Sequence, residues 1–297
     1  MPPIAYDQHP PSPVLAPYVE CYWTLRGGPI PDDRSDHAER VLPDGRVEIV
    51  LNCGGPVIQT RDGVAHRQPA TLLVGPTTRA VLIRPTGTVD MFGIRLRHGS
   101  ASAVLGVPAA TLTDTMHPLD AVVGFPSSMR EQLAESSGFA AQVVIVERHL
   151  IERVARARHG STRSTAVTVA RILALDGAIE ISRLASAAGI STRQLARRFG
   201  REVGVGPKVF ARLARFHALL RAVETERPRT LAAAAARTGY VDQSHLVRDF
   251  REFAGLAPSA WFRSQHRFSA YFLDLDADGQ GSRDDGPTAS DSGLRET

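Results

Sequence analysis

The last third of the chain repeats itself, and that repeat limits its fold more than any other feature. Ala185 is followed four residues on by Gly189, and fifty residues later Ala235 is followed by Gly239. One residue is then added, and Leu195, Arg197, Phe199, Gly204 and Pro207 return as Leu246, Arg248, Phe250, Gly255 and Pro258. Recurrence in register, with one insertion placed in a turn, marks a duplicated structural unit. Each copy reads as a short helix (181–188 and 231–238), a glycine turn and a second helix. Gly189 and Gly239 suit a positive φ that other residues adopt only with strain. Ser191 and Asp242 stand where an N-cap belongs. Pro207 and Pro258 suit the first turn of the helix that follows. The pattern predicts two helix-turn-helix units, with 209–223 as a connecting helix that buries Leu213, Phe216, Leu219 and Leu220.

The outward faces of the second helices carry the chemistry. With Leu195 and Phe199 turned inward, Arg193 and Arg197 share one face at helical spacing, and Ala196 lies beside them. Arg can take guanine O6 and N7 together, and a small apolar side chain can meet a thymine methyl. Ser191, Gln194, Arg198 and Arg201 flank that face and suit phosphates. In the second unit Gln243, Ser244, His245 and Arg248 are the expected base readers, with Arg251 toward phosphate.

Charge follows the same division. Residues 1–160 hold 15 basic and 16 acidic residues, residues 161–267 hold 18 and 8, and residues 268–297 hold 2 and 7. The net +4 of the whole chain therefore conceals a block at +10, an electrostatic footprint suited to a polyanion. All but one of the basic residues are Arg, Lys208 being the exception.

These residues resemble a known family. GISTRQLARRF, GVGPKVFARLARFHALL and RTGYVDQSHLVRDFREFAGLAPSAWFR are similar to the DNA-binding domain of the AraC/XylS transcriptional regulators. The second copy carries the signature in Gly239, Tyr240, Asp242, Ser244, Leu246, Arg248, Phe250, Gly255 and Pro258, while Ala257 stands where Ser or Thr is usual. The resemblance implies two helix-turn-helix subdomains joined by a long helix, with both recognition helices in successive major-groove segments of double-stranded DNA. It also implies RNA polymerase as a partner and regulation of transcription.

The N-terminal half is expected to be β-rich. Strands are expected at 19–25, 46–51, 80–84 and 88–96, separated by Gly and Pro clusters, which suggests a small antiparallel barrel or sandwich. Helices are expected at 100–105, 119–134 and 140–156; the last carries an apolar stripe of Val143, Val146, Leu150 and Val154. That stripe suits either the chain's own barrel or a homodimer. Leu42-Pro43-Asp44-Gly45, Val74-Gly75-Pro76 and 93–99 resemble a cupin-like sensor domain of one AraC subfamily, implying a small-molecule effector or dimerisation. Asp44, Arg95 and Arg97 are the candidate effector site. The expected fold class is thus α+β: a β-rich, barrel-like domain with flanking helices over 1–156, a linker over 157–165, an all-α double helix-turn-helix domain over 166–267 and an acidic, disordered tail over 268–297.

Other functions fare worse. No apolar run approaches the ~20 residues of a membrane span, and the first residues lack a signal-peptide pattern, so a cytoplasmic, nucleoid-associated protein is expected. Cys21 and Cys53 are too few for a disulfide framework. They also lack the clustered ligands of the zinc-bound cysteines in alkyl-DNA repair proteins, the competing enzyme reading. A small-molecule binding protein is the other alternative. No GxSxG, HExxH or Walker loop occurs, and His37, His66 and His98 lack metal-ligand spacing; no catalytic residue, cofactor or metal is expected. Asp274, Asp276, Asp278 and Asp285 match much of a calcium-binding EF-hand loop, but Gly281 stands at its eighth position and Asp at its twelfth, where the longer Glu is usual.

Overall fold

A computed structural model describes residues 4–30, 38–61, 63–120, 125–156, 162–226 and 230–263. The tail at 268–297 and its acidic loop lie outside the described residues. The N-terminal half is β1 (Ile4–His9), β2 (Val19–Ile30), β3 (Glu39–Val41), β4 (Glu48–Asn52), β5 (Val57–Arg61), β6 (Val64–Arg67), β7 (Thr71–Val74), β8 (Val81–Pro85), β9 (Gly87–Leu96) and β10 (Met116–Pro118). Helices α1 (Ala101–Leu105), α2 (Met129–Glu135) and α3 (Phe139–Arg156) accompany them, with a 3-10 turn at Ala109–Leu112.

The strands form two open antiparallel sheets rather than a closed ring. One runs β1-β2-β9-β4-β7-β10 and the other β3-β8-β5-β6. The period-2 alternation of a strand explains why the larger sheet is buried on both faces. Cys21, Trp23, Leu25, Val89 and Met91 pack with Val57 between the sheets. Tyr22, Ile49, Leu51, Phe92 and Ile94 point the other way, onto the helices. Trp23 sits opposite Gly93 in the β2–β9 register, and a Cβ on Gly93 would collide with the indole ring. The stripe Val143, Val146, Leu150 and Val154 of α3 is buried in the same cluster as the sheet residues, so it is spent within the chain's own domain. The helix expected over 119–134 is interrupted: α2 begins only at Met129, beyond Pro126, which cannot continue a helix.

The C-terminal half is α4 (Thr162–Ala174), α5 (Ile181–Ala187), α6 (Thr192–Val203), α7 (Pro207–Glu226), α8 (Leu231–Arg237), α9 (Gln243–Phe253) and α10 (Pro258–Arg263). Helix α4 starts inside the stretch expected to be a linker. Buried Val169 and Ile172 pack it onto the first unit, and that packing outweighs the weak helix propensity of its Ser and Thr residues. Gly189 and Gly239 have φ of +65° and +79°, as the turns require. Helix α7 serves two cores: Phe210, Ala211 and Ala214 pack with Leu195 and Phe199, while Phe216, Leu219 and Leu220 pack with Leu246, Phe250 and Phe253.

The two halves are packed together. Leu42 lies in the second helical core. His217 donates from Nε2 to the Pro43 carbonyl at 2.8 Å, and Gly45, at φ +73°, lies under the Phe210 ring. Thr113 Oγ1 donates to the Gly204 carbonyl at 2.7 Å. Ala80 N donates to the Phe253 carbonyl at 2.8 Å, and Arg40 to the Ala254 carbonyl at 2.9 Å. The turn Leu42-Pro43-Asp44-Gly45 is thus a docking element for the helical domain.

Candidate nucleic-acid interface

Both second helices begin on a side-chain cap. Ser191 Oγ accepts from Gln194 N at 3.2 Å, and Gln194 Oε1 accepts from Ser191 N at 2.9 Å, a reciprocal capping box. Asp242 Oδ1 accepts from His245 N at 2.7 Å. The amphipathic split of α6 then follows. Leu195, Phe199 and Val203 are buried, and Arg193, Ala196 and Arg197 are exposed on the opposite side. Arg198 Nε lies 3.6 Å and Arg201 Nη2 3.2 Å from Glu202 Oε1. The nearly buried Glu202 therefore steers both flanking guanidinium groups. Ser191 and Gln194 hold the helix start as well as lying at its exposed end.

The corresponding face of α9 exposes Gln243, Ser244, Arg248 and Arg251. His245 is half-buried. Its ring packs edge-on against Tyr240 at 5.1 Å, 3.9 Å from Asp249 Oδ2, so it turns into the domain. Its place one residue before Leu246 puts it at the edge of the inward face. It stays partly exposed at the border of the face that carries Gln243, Ser244 and Arg248.

Helix α9 is fixed by an ion cluster that sequence reasoning missed. Arg212 of α7 donates to Asp249 Oδ1 from Nη2 at 2.6 Å and from Nε at 3.1 Å, and to Glu252 at 2.6 and 3.0 Å. Asp249 is fully buried, and the Arg212 guanidinium also covers the Phe253 ring at 4.9 Å. Hydrogen bonds from Arg212 hold the Glu252 carboxyl below its ordinary range. The signal was present: Asp249 interrupts an apolar stripe at Leu246, Phe250 and Phe253.

A family model described as "Helix-turn-helix domain" matches residues 184–264. The C-terminal domain is a helix-turn-helix domain. A second model, "Domain of unknown function (DUF6597)", matches residues 7–118. No curated protein matches the chain. Among solved structures, ToxT from Vibrio cholerae is similar at 8% identity and a TM-score of 0.44, over 92% of this chain and 98% of that one. Wild-type ToxT from strain SCE256, bound to an unsaturated fatty acid, gives 8% and 0.42 over 88% and 94%. The AraC-like transcriptional activator CuxR gives 13% and 0.27 over 73% and 86%.

The three residues proposed for an effector are divided. Asp44 and Arg95 belong to one buried charge cluster beside the helix-turn-helix domain. Arg95 is fully buried and donates from Nε to Glu48 at 2.6 Å. Arg46 pairs with Glu20 at 2.9 and 3.0 Å, and its backbone N–H donates to Asp44 Oδ1 at 2.9 Å. Burial pushes the Asp44 carboxyl up, but Arg46 and Arg95 more than offset this and hold it low. Arg97 lies apart, exposed, and donates to the Ala16 carbonyl at 2.7 Å. A cavity of about 30 Å³ between the domains is lined by Asp44, Arg46, His98 and, from the helical domain, Asp176, His217 and Arg221.

Proposed function

We propose that the chain is a sequence-specific DNA-binding transcription regulator whose AraC-type domain is controlled through the N-terminal domain by a small molecule. One observation carries the DNA reading: two capped recognition helices present Arg193, Ala196 and Arg197, and Gln243, Ser244 and Arg248, on exposed faces. In this reading those residues meet base edges, and Arg198, Arg201 and Arg251 meet phosphates, with Ser191 and Gln194 at the same helix end. The packed seam supports control, because a change in the N-terminal domain reaches the helical domain through Leu42, Pro43 and Gly45. Asp44, Arg95 and Arg97 remain the proposed polar contacts for the effector. RNA polymerase is the proposed protein partner, and the cytoplasm, on chromosomal DNA, the proposed place of action. Assembly as a homodimer is compatible with this reading.

The thiols argue against a repair-type alkyl transfer. Cys21 is buried, and burial pushes its thiol up to about 11; burial raises Cys53 as well. Reactive cysteines are instead found in exposed, electropositive sites that lower the pKa.

Selection of bound duplexes from a random pool tests the function. Recovery of a consensus with two half-sites supports it. Retention independent of sequence and unchanged between low and moderate salt sinks it.

A further inference from the structure

A groove lies between the two domains, along the exposed face of α9. It has a volume of about 850 Å³, and Arg79 of the N-terminal domain lines it together with Gln243, Ser244, Arg248, Arg251 and Glu252. Arg79 sits in the connection between β7 and β8, and that connection is anchored on both sides. Thr78 donates from its backbone N–H and its hydroxyl to Asp114 at 2.8 and 2.7 Å, and Ala80 donates to the Phe253 carbonyl. The exposed Arg79 is therefore held beside the recognition helix by the flanking residues.

The charge of the groove is cationic in effect. Its one carboxylate, Glu252, is held by two hydrogen bonds from Arg212. Arg79, Arg248 and Arg251 then supply the net charge, while the amide of Gln243 and the hydroxyl of Ser244 supply hydrogen bonds. The connection touches α9 at its C-terminal end, through Phe253, and leaves the N-terminal positions Gln243 and Ser244 facing the groove. A row of cations beside a helix aimed at base edges is the arrangement that grips a sugar–phosphate strand.

We propose that the N-terminal domain contributes directly to DNA binding: Arg79 forms, with Arg251, a composite surface that holds the phosphate backbone beside Arg248 and the other base-facing residues of the second recognition helix. This rests on the DNA-binding reading above. It assigns the occupant of the groove as a DNA strand. It also assigns the β7–β8 connection as a support for DNA rather than a cover that keeps DNA out.

The test uses the full chain and a duplex recovered by the wild type from a random pool. Affinity is measured by fluorescence anisotropy from about 50 to about 200 mM salt for wild type, Arg79→Ala, Arg79→Lys and a control, Arg67→Ala, on the exposed strand β6. Loss of one phosphate contact lowers the log–log salt slope by about 0.9 and weakens binding about fivefold at moderate salt. Arg79→Ala should show both effects, equally on matched and mismatched duplexes, with an unchanged melting temperature. Arg79→Lys should retain most of the affinity, and Arg67→Ala should behave as wild type. Wild-type slope and affinity in Arg79→Ala, or tighter binding, overturns the proposal while leaving the DNA-binding reading intact. Failure of the wild type to recover any duplex sinks that reading, and this one with it.

Discussion

The imidazole of His98 meets the ring of Phe210 edge to face across the domain seam, with centroids 4.8 Å apart. On the polar side, His98 donates from Nε2 to the Asp44 carbonyl at 3.1 Å, one residue on from the Pro43 carbonyl that takes His217. Burial, with Arg46 adding to it, pushes His98 down to about 4, and burial lowers His217 as well. The folded, docked protein therefore binds fewer protons than the unfolded chain below the ordinary histidine value of about 6.5. The contribution of these groups is fully present above that pH and is lost as pH falls from there toward 4. Calorimetry should show the melting temperature falling over this window. The double variant His98→Gln, His217→Gln should flatten the fall; an equally steep fall in that variant would place its origin elsewhere.

Leu42 is an apolar anchor that crosses the seam, in the same core as Phe216 and Phe253. Leu42→Ala removes that anchor and should cost about 2 kcal/mol, at the lower end of buried Leu truncations. The two domains should then melt separately, splitting one calorimetric transition into two. A single unshifted transition would show that the seam contributes nothing to stability.

Arg197 and Arg198 are neighbours with different surroundings. Arg197 is exposed on the face proposed to read bases, and Arg198 is drawn toward Glu202. Arg197→Ala should relax the preference at one base pair, by roughly 1–3 kcal/mol of discrimination. Arg198→Ala should weaken binding evenly across sequences. Competition between matched and mutated duplexes separates the two outcomes, and the reverse result would mean that α6 presents a different face to DNA.

Arg212 holds α9 through a fully buried carboxylate. Removing one partner of such a pair leaves the other charge uncompensated, at a cost of roughly 3–5 kcal/mol. Arg212→Ala should therefore destabilise the second unit severely, as read by urea titration of helical circular dichroism. Arg212→Met with Asp249→Leu should recover much of the loss. A single variant as stable as wild type would remove this cluster from the account of how α9 is placed.

The helical domain was the most legible part of the chain, because its signals are local. Gly189, Ser191, Leu195 and Phe199 each act within a few residues of themselves, and their repetition made the unit visible. The two sheets were half legible. The apolar alternation of 19–25 and 88–96 is strong, whereas β5 and β6 carry Gln59, Arg61, His66 and Arg67 and β10 has only three residues, so their pairing comes from the sheet rather than from their own pattern. The seam was not legible. Ala80 reads as the first residue of a strand and Leu42 as part of a turn motif of the sensor domain, and what they do at the seam depends on residues more than a hundred positions away. The contacts of His245 with Tyr240 and Asp249 are likewise not legible, being a tertiary effect at the border of a helical face. The sequence offers Asp44 and Arg95 as candidate effector contacts, but the charge cluster that encloses them, with Glu20 of β2 and Glu48 of β4, is assembled from distant strands and is not legible in it.

The attachments at Gly204 and at Phe253 and Ala254 fall at matching ends of α6 and α9. A pair of readers tied at corresponding points to one body behaves as a ruler with a set angular phase. B-form DNA turns once every 10–10.5 base pairs, so half a turn of inserted sequence carries the second half-site to the far side of the duplex. Two loosely tethered units could follow it around. Here, following it requires breaking the bond from Thr113 or the bonds from Ala80 and Arg40. On the proposed DNA-binding reading, spacing between half-sites thereby becomes information read in addition to base identity, and the N-terminal domain, together with α7, holds the gauge.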